Sequence, residues 1–477
     1  MSTIKKEAAK SVIWSTIERF SVQGVQFAVS IVIARLLFPS DYGLIAMLSI
    51  FMALAQTFVD SGFANALIQK KNKTDADFNT VFYFNIGISV LVYFLLYITA
   101  PYIASFYNEP ELKLITRIIS LGFVINSFGI VQQAKLTIEL NFKKMAYASL
   151  LAALCSGAVG IVLAYNGWGV WALVCQTLGN NFLRVVLIWF FSRWSPKIQF
   201  SIDSFRALFS FGSKILLSSL LHTVYTNLYT LIIGKFFSSV ELGYYNRSFT
   251  LAQFPSTNLS NIIVRAIYPI QCRIQDDIDQ LRSMFLKYIG MACYIIFPIM
   301  IIMCTLAEPL VSCLLTDKWL PIVPLLRILC IAFMWDPVMK INLIILQVRG
   351  RSDYFLYAEI IKKIIAFLIM LATIPYGVKV MCVGLIFYAF ADMGIIIYYS
   401  RKVTEISYLT QCKKIVPIFL LSISTGVVVY IMVSFLSSPF IQLISGVIVG
   451  GAFYLLLSFI FKFQEMKVLF SLISKRF

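Results

Sequence analysis

Charge, histidine and polar connecting segments are scarce in this chain. Of its 477 residues only 13% are charged, against 60% hydrophobic, and the mean hydropathy is +0.86. Soluble domains carry about a quarter charged residues, since their surface faces water. So little charge excludes a large soluble protein and leaves a bilayer, where lipid meets Leu, Ile and Phe without cost. The nine cysteines are scattered without a CxxC pair, which excludes a zinc ribbon or a patterned disulfide framework. A single histidine, His222, cannot build a metal centre or a Ser-His-Asp arrangement, and reads as a packed or helix-bonding residue, with a proton relay as the second reading. No Gly-rich phosphate loop, HExxH or nucleophile elbow is found. The longest polar stretch runs only from Arg193 to Arg206, too short for a catalytic domain. A polymerase, ligase or glycosyltransferase, and an ATP-driven pump, are disfavoured on these grounds.

What the chain does have is long apolar runs. A spanning helix takes roughly 20 apolar residues. Fourteen spans are read at 11–37, 42–68, 78–104, 114–138, 144–165, 168–192, 207–237, 241–269, 285–307, 319–348, 354–375, 378–400, 414–436 and 440–461. The basic start, Met1 to Lys10, leads into a run without a small-residue cleavage site, so the first span is expected to be retained. Several spans carry polar residues that weaken their hydropathy. The segment from Arg273 to Lys287 alternates charge with Ile274, Ile278, Leu281 and Phe285, and reads as a helix lying on the membrane surface.

The net charge of +18 is explained by where the basic residues sit. Alternate connections hold Lys70, Lys71 and Lys73, then Lys143 and Lys144, then Arg193, Lys197 and Arg206, and so on to Lys475 and Arg476. The intervening connections are built from turns such as Asn108-Glu109-Pro110 and Asn166-Gly167-Trp168. By the positive-inside rule both termini are cytoplasmic, and no nucleic acid is needed to account for the charge.

The chain also repeats. Val32-Ile33-Ala34-Arg35-Leu36-Leu37 matches Ile232-Ile233-Gly234-Lys235-Phe236-Phe237 at an offset of 200 residues. At the same offset Asp41 meets Glu241 and Gly43 meets Gly243. Arg117-Ile118-Ile119 recurs as Arg327-Ile328-Leu329, and Gly169-Val170 as Gly377-Val378. An even number of spans lies between the copies, so both face the same way. The fold class is an all-α polytopic membrane protein: two parallel six-helix bundles related by a pseudo-two-fold axis, plus two C-terminal helices. The lobes are 1–200 and 201–403, and 404–477 holds the last two helices and a basic tail. Parallel repeats about an axis along the membrane normal are a transporter architecture.

Ionisable residues inside spans cost a few kcal/mol each on insertion scales, and so face a cavity or a partner. Arg19, Lys214 and Arg247 are the candidates for an anionic substrate group, because Arg and Lys give charge-assisted bonds to phosphate. Glu18, Asp60, Asp336 and Asp392 are the candidates for ion coupling, since protonation would change cavity charge between strokes. Alternatives stand beside these readings. Arg35, Lys235 and Arg265 lie near span ends and suit snorkelling. Asp336 and Lys340 are four apart and suit a local pair. Asp60 and Asp392 suit hydrogen bonds between helices.

The run Ala34-Arg35-Leu36-Leu37-Phe38-Pro39-Ser40-Asp41-Tyr42-Gly43-Leu44 resembles the first-loop signature of bacterial polysaccharide-unit flippases of the Wzx type. The likeness is to the branch near the colanic-acid exporter. Ala66-Leu67-Ile68-Gln69, Gly169-Val170-Trp171-Ala172-Leu173-Val174, Leu242-Gly243-Tyr244-Tyr245-Asn246-Arg247 and Lys318-Trp319-Leu320-Pro321 extend it in order along the chain. Ile267-Tyr268-Pro269-Ile270 departs from the Phe-Pro-Ala type run of relatives. This family belongs to the multidrug/oligosaccharidyl-lipid/polysaccharide exporter superfamily. The resemblance implies a two-lobed fold of 12–14 helices in the bacterial inner membrane. It implies alternating-access transport of an undecaprenyl-diphosphate-linked oligosaccharide for surface polysaccharide or lipopolysaccharide synthesis. It also implies coupling to H⁺ or Na⁺, no cofactor, and as partners the lipid-linked sugar, membrane lipid and other polysaccharide-assembly membrane proteins. The rival readings are a small-molecule exporter of the same superfamily and a membrane-embedded polymerase or glycosyltransferase. The sugar's identity is not written in the residues.

Overall fold

The computed structural model describes residues 21–60, 63–70 and 73–467. Its helices are α1 (Ser21–Leu36), α2 (Pro39–Asp60), α3 (Phe63–Gln69), α4 (Asp75–Tyr107), α5 (Leu112–Ile119), α6 (Leu121–Ile138), α7 (Phe142–Tyr165), α8 (Val170–Ser192) and α9 (Ile202–Phe236). They continue as α10 (Ser239–Arg273), α11 (Ile278–Thr305), α12 (Ala307–Leu314), α13 (Val323–Phe333), α14 (Asp336–Val348), α15 (Ser352–Thr373), α16 (Val378–Thr404), α17 (Tyr408–Ser434) and α18 (Pro439–Ile460). No strand occurs among the described residues. In lipid every backbone N–H and C=O needs an internal partner, which a helix supplies along its own length.

Each span read from the sequence meets a helix, or a broken pair of helices, within a few residues; positions 11–20 of the first lie outside the described residues. The second span is α2 followed by α3, the fourth is α5 and α6, and the tenth is α13 and α14 after a short 3-10 turn (Asp317–Ile322). Ten stretches are long and apolar enough to cross a membrane among the described residues. The spans outside that set are α1, α9, α10 and α15. Polar residues explain α10, where Gln253, Asn258 and Asn261 stand among Ser and Thr, and charge explains α15, which holds Glu359, Lys362 and Lys363. One expectation is corrected. The segment 273–287 is not a separate surface helix, because α10 runs to Arg273 and α11 starts at Ile278 and continues unbroken to Thr305. Asp277 caps that start by accepting from Gln280 N–H at 3.0 Å, so the chain turns and re-enters at once.

The packing divides the chain into two compact units, Met1–Gly243 and Tyr244–Phe477. In the first, α7 packs on α8, α8 on α6, α6 on α4, and α2 on α9. Small residues let helices approach where lipid offers no hydrophobic drive. A Cβ on Gly157 of α7 would lie 2.6 Å from Val29 of α1. An aromatic cluster joins the start of α4 and α9 to α3: Phe63 lies 4.4 Å from Phe84 and 5.8 Å from Phe205 between ring centres. The polar stretch 193–201 is tied to it, with Lys197 N–H donating to Asn79 Oδ1 at 2.9 Å and Ser201 N–H to Thr80 Oγ1 at 3.0 Å.

In the second unit α15 packs on α16, and α17 on α11 and α18. A closed polar knot joins three helices. Asn342 of α14 donates to Gln411 of α17 at 3.0 Å and accepts from Ser400 of α16 at 2.6 Å. All three side chains are fully buried, and in a low-dielectric interior such a satisfied network fixes one arrangement. The N-caps of α8 and α16 are the repeat mates Gly169 and Gly377, with φ of 54° and 90°. Only glycine takes that conformation without strain, which explains why the repeat keeps it.

The start of α4 generates a stability prediction. Thr74 and Asp77 form a capping box, and Lys70 donates to the buried Asp77 carboxylate at 2.7 Å. Asp77→Ala removes the return half of the capping box and the partner of Lys70, which is expected to cost about 2 kcal/mol. A clearly lowered melting midpoint in detergent checks it, and an unchanged midpoint contradicts it.

Candidate functional site

The repeat detected in the sequence has a physical counterpart in the first unit. The turn between α1 and α2 is Leu37-Phe38, and the turn between α9 and α10 is Phe237-Ser238. Both close the same way. Leu37 N–H donates to Ile33 O, and Phe237 N–H to Ile233 O, each at 2.9 Å. Phe38 N–H donates to the Asp41 carboxylate at 2.9 Å, and Ser238 N–H to the Glu241 carboxylate at 3.4 Å. Residues 33–35 read buried, buried, exposed, and so do residues 233–235. Arg35 and Lys235 thus both reach out from helix C-termini, where cations complement the helix dipole.

The two hairpin tips lock into each other reciprocally. A Cβ built on Gly43 would lie 1.7 Å from the carbonyl oxygen of Ser239. One built on Gly243 would lie 2.0 Å from the carbonyl oxygen of Pro39, and 3.2 Å from Gly43 N. Pro39 and Ser239 are themselves repeat mates, 200 residues apart. Each glycine therefore receives the backbone of the other repeat. No side chain fits either place, since real Cβ atoms do not come within 3.0 Å of such neighbours.

The lock also brings two helix N-termini together, each carrying roughly half a positive charge. The first-turn carboxylates Asp41 and Glu241 offset that repulsion. Lys235 ties the tip to α4 by donating to Phe106 O at 2.6 Å. Near the far end of α2, the hydroxyls of Thr57 and of Thr223 on α9 meet at 3.1 Å.

The individual charge candidates fall out as follows. Glu18 and Arg19 lie outside the described residues. Lys214 is on α9, but its side chain lies outside what is described. Arg247 is buried on α10. Asp60 is exposed at the end of α2 and accepts from Gln56 at 2.7 Å. Asp336 pairs with Lys340 at 2.7 Å, and Lys340 also donates to Asn261 of α10 at 3.2 Å. Asp392 of α16 pairs with Lys362 of α15 at 3.2 Å, and Lys362 holds Glu359 at 2.7 Å. His222 is exposed rather than packed. Arg184 donates to Gln133 at 3.1 Å, a bond from α8 to α6.

Asp336 and Asp392 are thus gathered in the second unit, on helices that pack together. The others are not seen to join them. Sequence reasoning missed Lys362 and Glu359, which join Asp392 in a triad whose Lys362 and Asp392 are buried and whose Glu359 is half-buried. The available signal was Glu359-x-x-Lys362 inside an apolar run, which puts both on one helix face. No cluster of His, Cys, Asp and Glu able to hold a metal ion occurs among the described residues.

The family profile described as "Polysaccharide biosynthesis protein" matches residues 32–324, more than half of the chain. The chain belongs to this family. Among similar curated proteins is the "Lipopolysaccharide biosynthesis protein WzxC" of Escherichia coli, 27% identical over 331 residues, which are 69% of this chain and 67% of that one. The "Teichuronic acid biosynthesis protein TuaB" of Bacillus subtilis is 25% identical over 359 residues, 75% of this chain and 74% of its own length. Among solved structures, the "Lipid II flippase MurJ, inward closed conformation" superposes with a TM-score of 0.75 at 14% identity, covering 94% of this chain and 98% of that one. An inward-facing multidrug resistance MATE transporter gives 0.62 at 15% identity, over 83% of this chain and 98% of its own. These likenesses show the fold, and the family match gives the membership. This polysaccharide biosynthesis family member therefore presents, as its most specific geometric feature, the reciprocal glycine lock of its two repeats.

Two predictions follow from the geometry. Spin labels at the exposed positions Phe38 and Val240, in a background without the native cysteines, should report a short distance. Gly43→Val should add a longer population, whereas Gly87→Val, which has open space around it, should not. Identical distance distributions in both variants would count against the lock. In the second unit, Lys362→Met alone should destabilise by about 3–5 kcal/mol, because it leaves a buried carboxylate unpaired. Lys362→Met with Asp392→Leu should recover much of that, as read by melting in detergent; equal midpoints for the single and double variants would refute it.

Proposed function

We propose that this protein is a flippase that moves lipid-linked oligosaccharide units across the membrane by alternating access, for surface polysaccharide assembly. The observation that carries the reading is the reciprocal Gly43–Gly243 lock in a member of the polysaccharide biosynthesis family. An enzyme acting on the same sugars has no use for two repeat-related hairpins closed backbone against backbone. A transporter does, because closing one end of a path while the other opens requires a contact that is tight yet free of interdigitated side chains.

The names of relatives support the cargo class. They refer to biosynthesis of lipopolysaccharide and teichuronic acid, and to a "Succinoglycan biosynthesis transport protein" from Rhizobium meliloti. The fold is shared with a protein named as a lipid II flippase. In this reading the carrier's diphosphate is met by Arg19, Lys214 and Arg247, while the sugars stay in water. Charge alternation along the sequence puts the Gly43–Gly243 end outside and the termini in the cytoplasm.

Coupling to H⁺ or Na⁺ falls to the carboxylates of the second unit. Asp392, held by Lys362 beside Glu359, and Asp336, held by Lys340, are carboxylates paired with an internal cation. An incoming ion competes with that ammonium for the carboxylate, which gives the site two charge arrangements. Glu18 and Asp60 remain candidates in the first unit.

The test is transport by the purified protein in vesicles loaded with a lipid-linked oligosaccharide bearing a fluorescent sugar. An impermeant quencher outside should reach the inner-leaflet pool only when protein is present, and faster under an imposed proton or sodium gradient. Asp392→Asn should abolish that gradient dependence. Vesicles that leave the inner pool protected, while exporting small cationic drugs, would refute the reading in favour of the multidrug rival.

A further inference from the structure

On the side of the first unit, α2 and α4 enclose an open groove of about 690 Å³. Phe51 and Phe58 line it from α2, and Leu91, Leu95, Tyr102 and Phe106 from α4. Of its two lining hydroxyls, Thr99 spends its Oγ1 proton on Leu95 O at 2.8 Å, and Tyr102, 74% exposed, stands one turn from Phe106 near the end of the wall. Sugars, head groups and peptide backbone are therefore poor occupants, since each would lose its water partners without replacement. A hydrocarbon chain loses nothing.

Length decides which chain. The α4 wall runs from Ile88 to Phe106, which at 1.5 Å per residue is about 27 Å along the helix. The hydrocarbon core is about 30 Å thick, so a single leaflet offers about 15 Å. A phospholipid acyl chain confined to one leaflet covers only about half of that wall. A long polyprenyl chain covers all of it. A cation sits at the Phe106 end of the groove. The Lys235 ammonium lies 4.4 Å from the centre of the Phe106 ring and uses one of its donors on Phe106 O. An ammonium carries three donors, so two remain for a phosphate at the groove mouth.

We propose that this groove is a binding site for the polyprenyl chain of the lipid carrier, with the carrier's phosphate at Lys235 and the chain running down α4 toward Ile88. This rests on the flippase reading. With the Phe106 end outermost, the groove receives the chain once the head group has crossed, and holds the carrier beside the lock formed by Gly43 and Gly243.

The test is binding of undecaprenyl phosphate to the purified full-length protein in detergent, followed by native mass spectrometry. Leu95→Trp fills the groove from a position 54% exposed, and Leu154→Trp, 47% exposed on α7 and outside the groove, is the control. The wild type and Leu154→Trp should bind alike, Leu95→Trp should bind at least tenfold more weakly, and Lys235→Gln should weaken the phosphate form but not undecaprenol. A tenfold excess of phosphatidylglycerol should not displace the ligand. Equal competition by phosphatidylglycerol, or unchanged binding by Leu95→Trp, overturns the proposal. Because binding is read without transport, a failed flipping assay with intact, groove-dependent binding would refute the transport reading and leave the site standing.

Discussion

Everything in the first unit is arranged around one close approach, in which the backbone of each repeat sits where a side chain of the other would be. The Gly43 and Gly243 contacts allow helix ends of like dipole to meet, and Asp41 and Glu241 make that meeting tolerable. Membrane helices gain little from hydrophobic association, so their contacts rest on fit and hydrogen bonds. A lock made of fit alone is strong when aligned and leaves no interdigitated side chains to disentangle when it parts. That is the property a transporter needs at the end of its path.

The second unit is built on a different principle. There polar side chains also tie helices together: the buried Asn342 with Gln411 and Ser400, the buried Lys362 and Asp392 with the half-buried Glu359, and the half-buried Asp336 with Lys340. The first network is neutral and closed, which suits a fixed scaffold. The charged pairs have an alternative state, because a proton or a metal cation can replace an ammonium at a carboxylate. On the proposed transport reading the contrast divides the labour: the repeat tips in the first unit would supply the closing contact, and the carboxylates of α14 and α16 a place where an ion could couple.

Much of the architecture was legible in the residues because it depends on local rules. Apolar length set the helices, and the internal repeat picks out Gly43 with Gly243 and Gly169 with Gly377. Those glycines proved to have steric reasons, a close contact in one pair and a positive φ in the other. The segment 273–287 was misread because its alternating charge describes an exposed turn as well as a surface helix. Lys362 was passed over, although Asp392 was singled out, because one sequence does not say which face of α15 meets α16. The apolar groove between α2 and α4 was invisible for the same reason: every lining residue is ordinary for a membrane span, and only the spacing between helices makes a site. The same limit applies to Arg19 and Lys214, whose side-chain positions lie outside the described residues.

The central claim is that the two hairpin tips must separate for cargo to pass. The most direct measurement is flipping by protein carrying cysteines at positions 38 and 240 in a background without native cysteines, joined by a short cleavable bis-thiol linker. The account predicts that the linked protein does not flip the lipid-linked oligosaccharide, and that cleaving the linker restores the wild-type rate. Undiminished flipping by fully linked protein would contradict it.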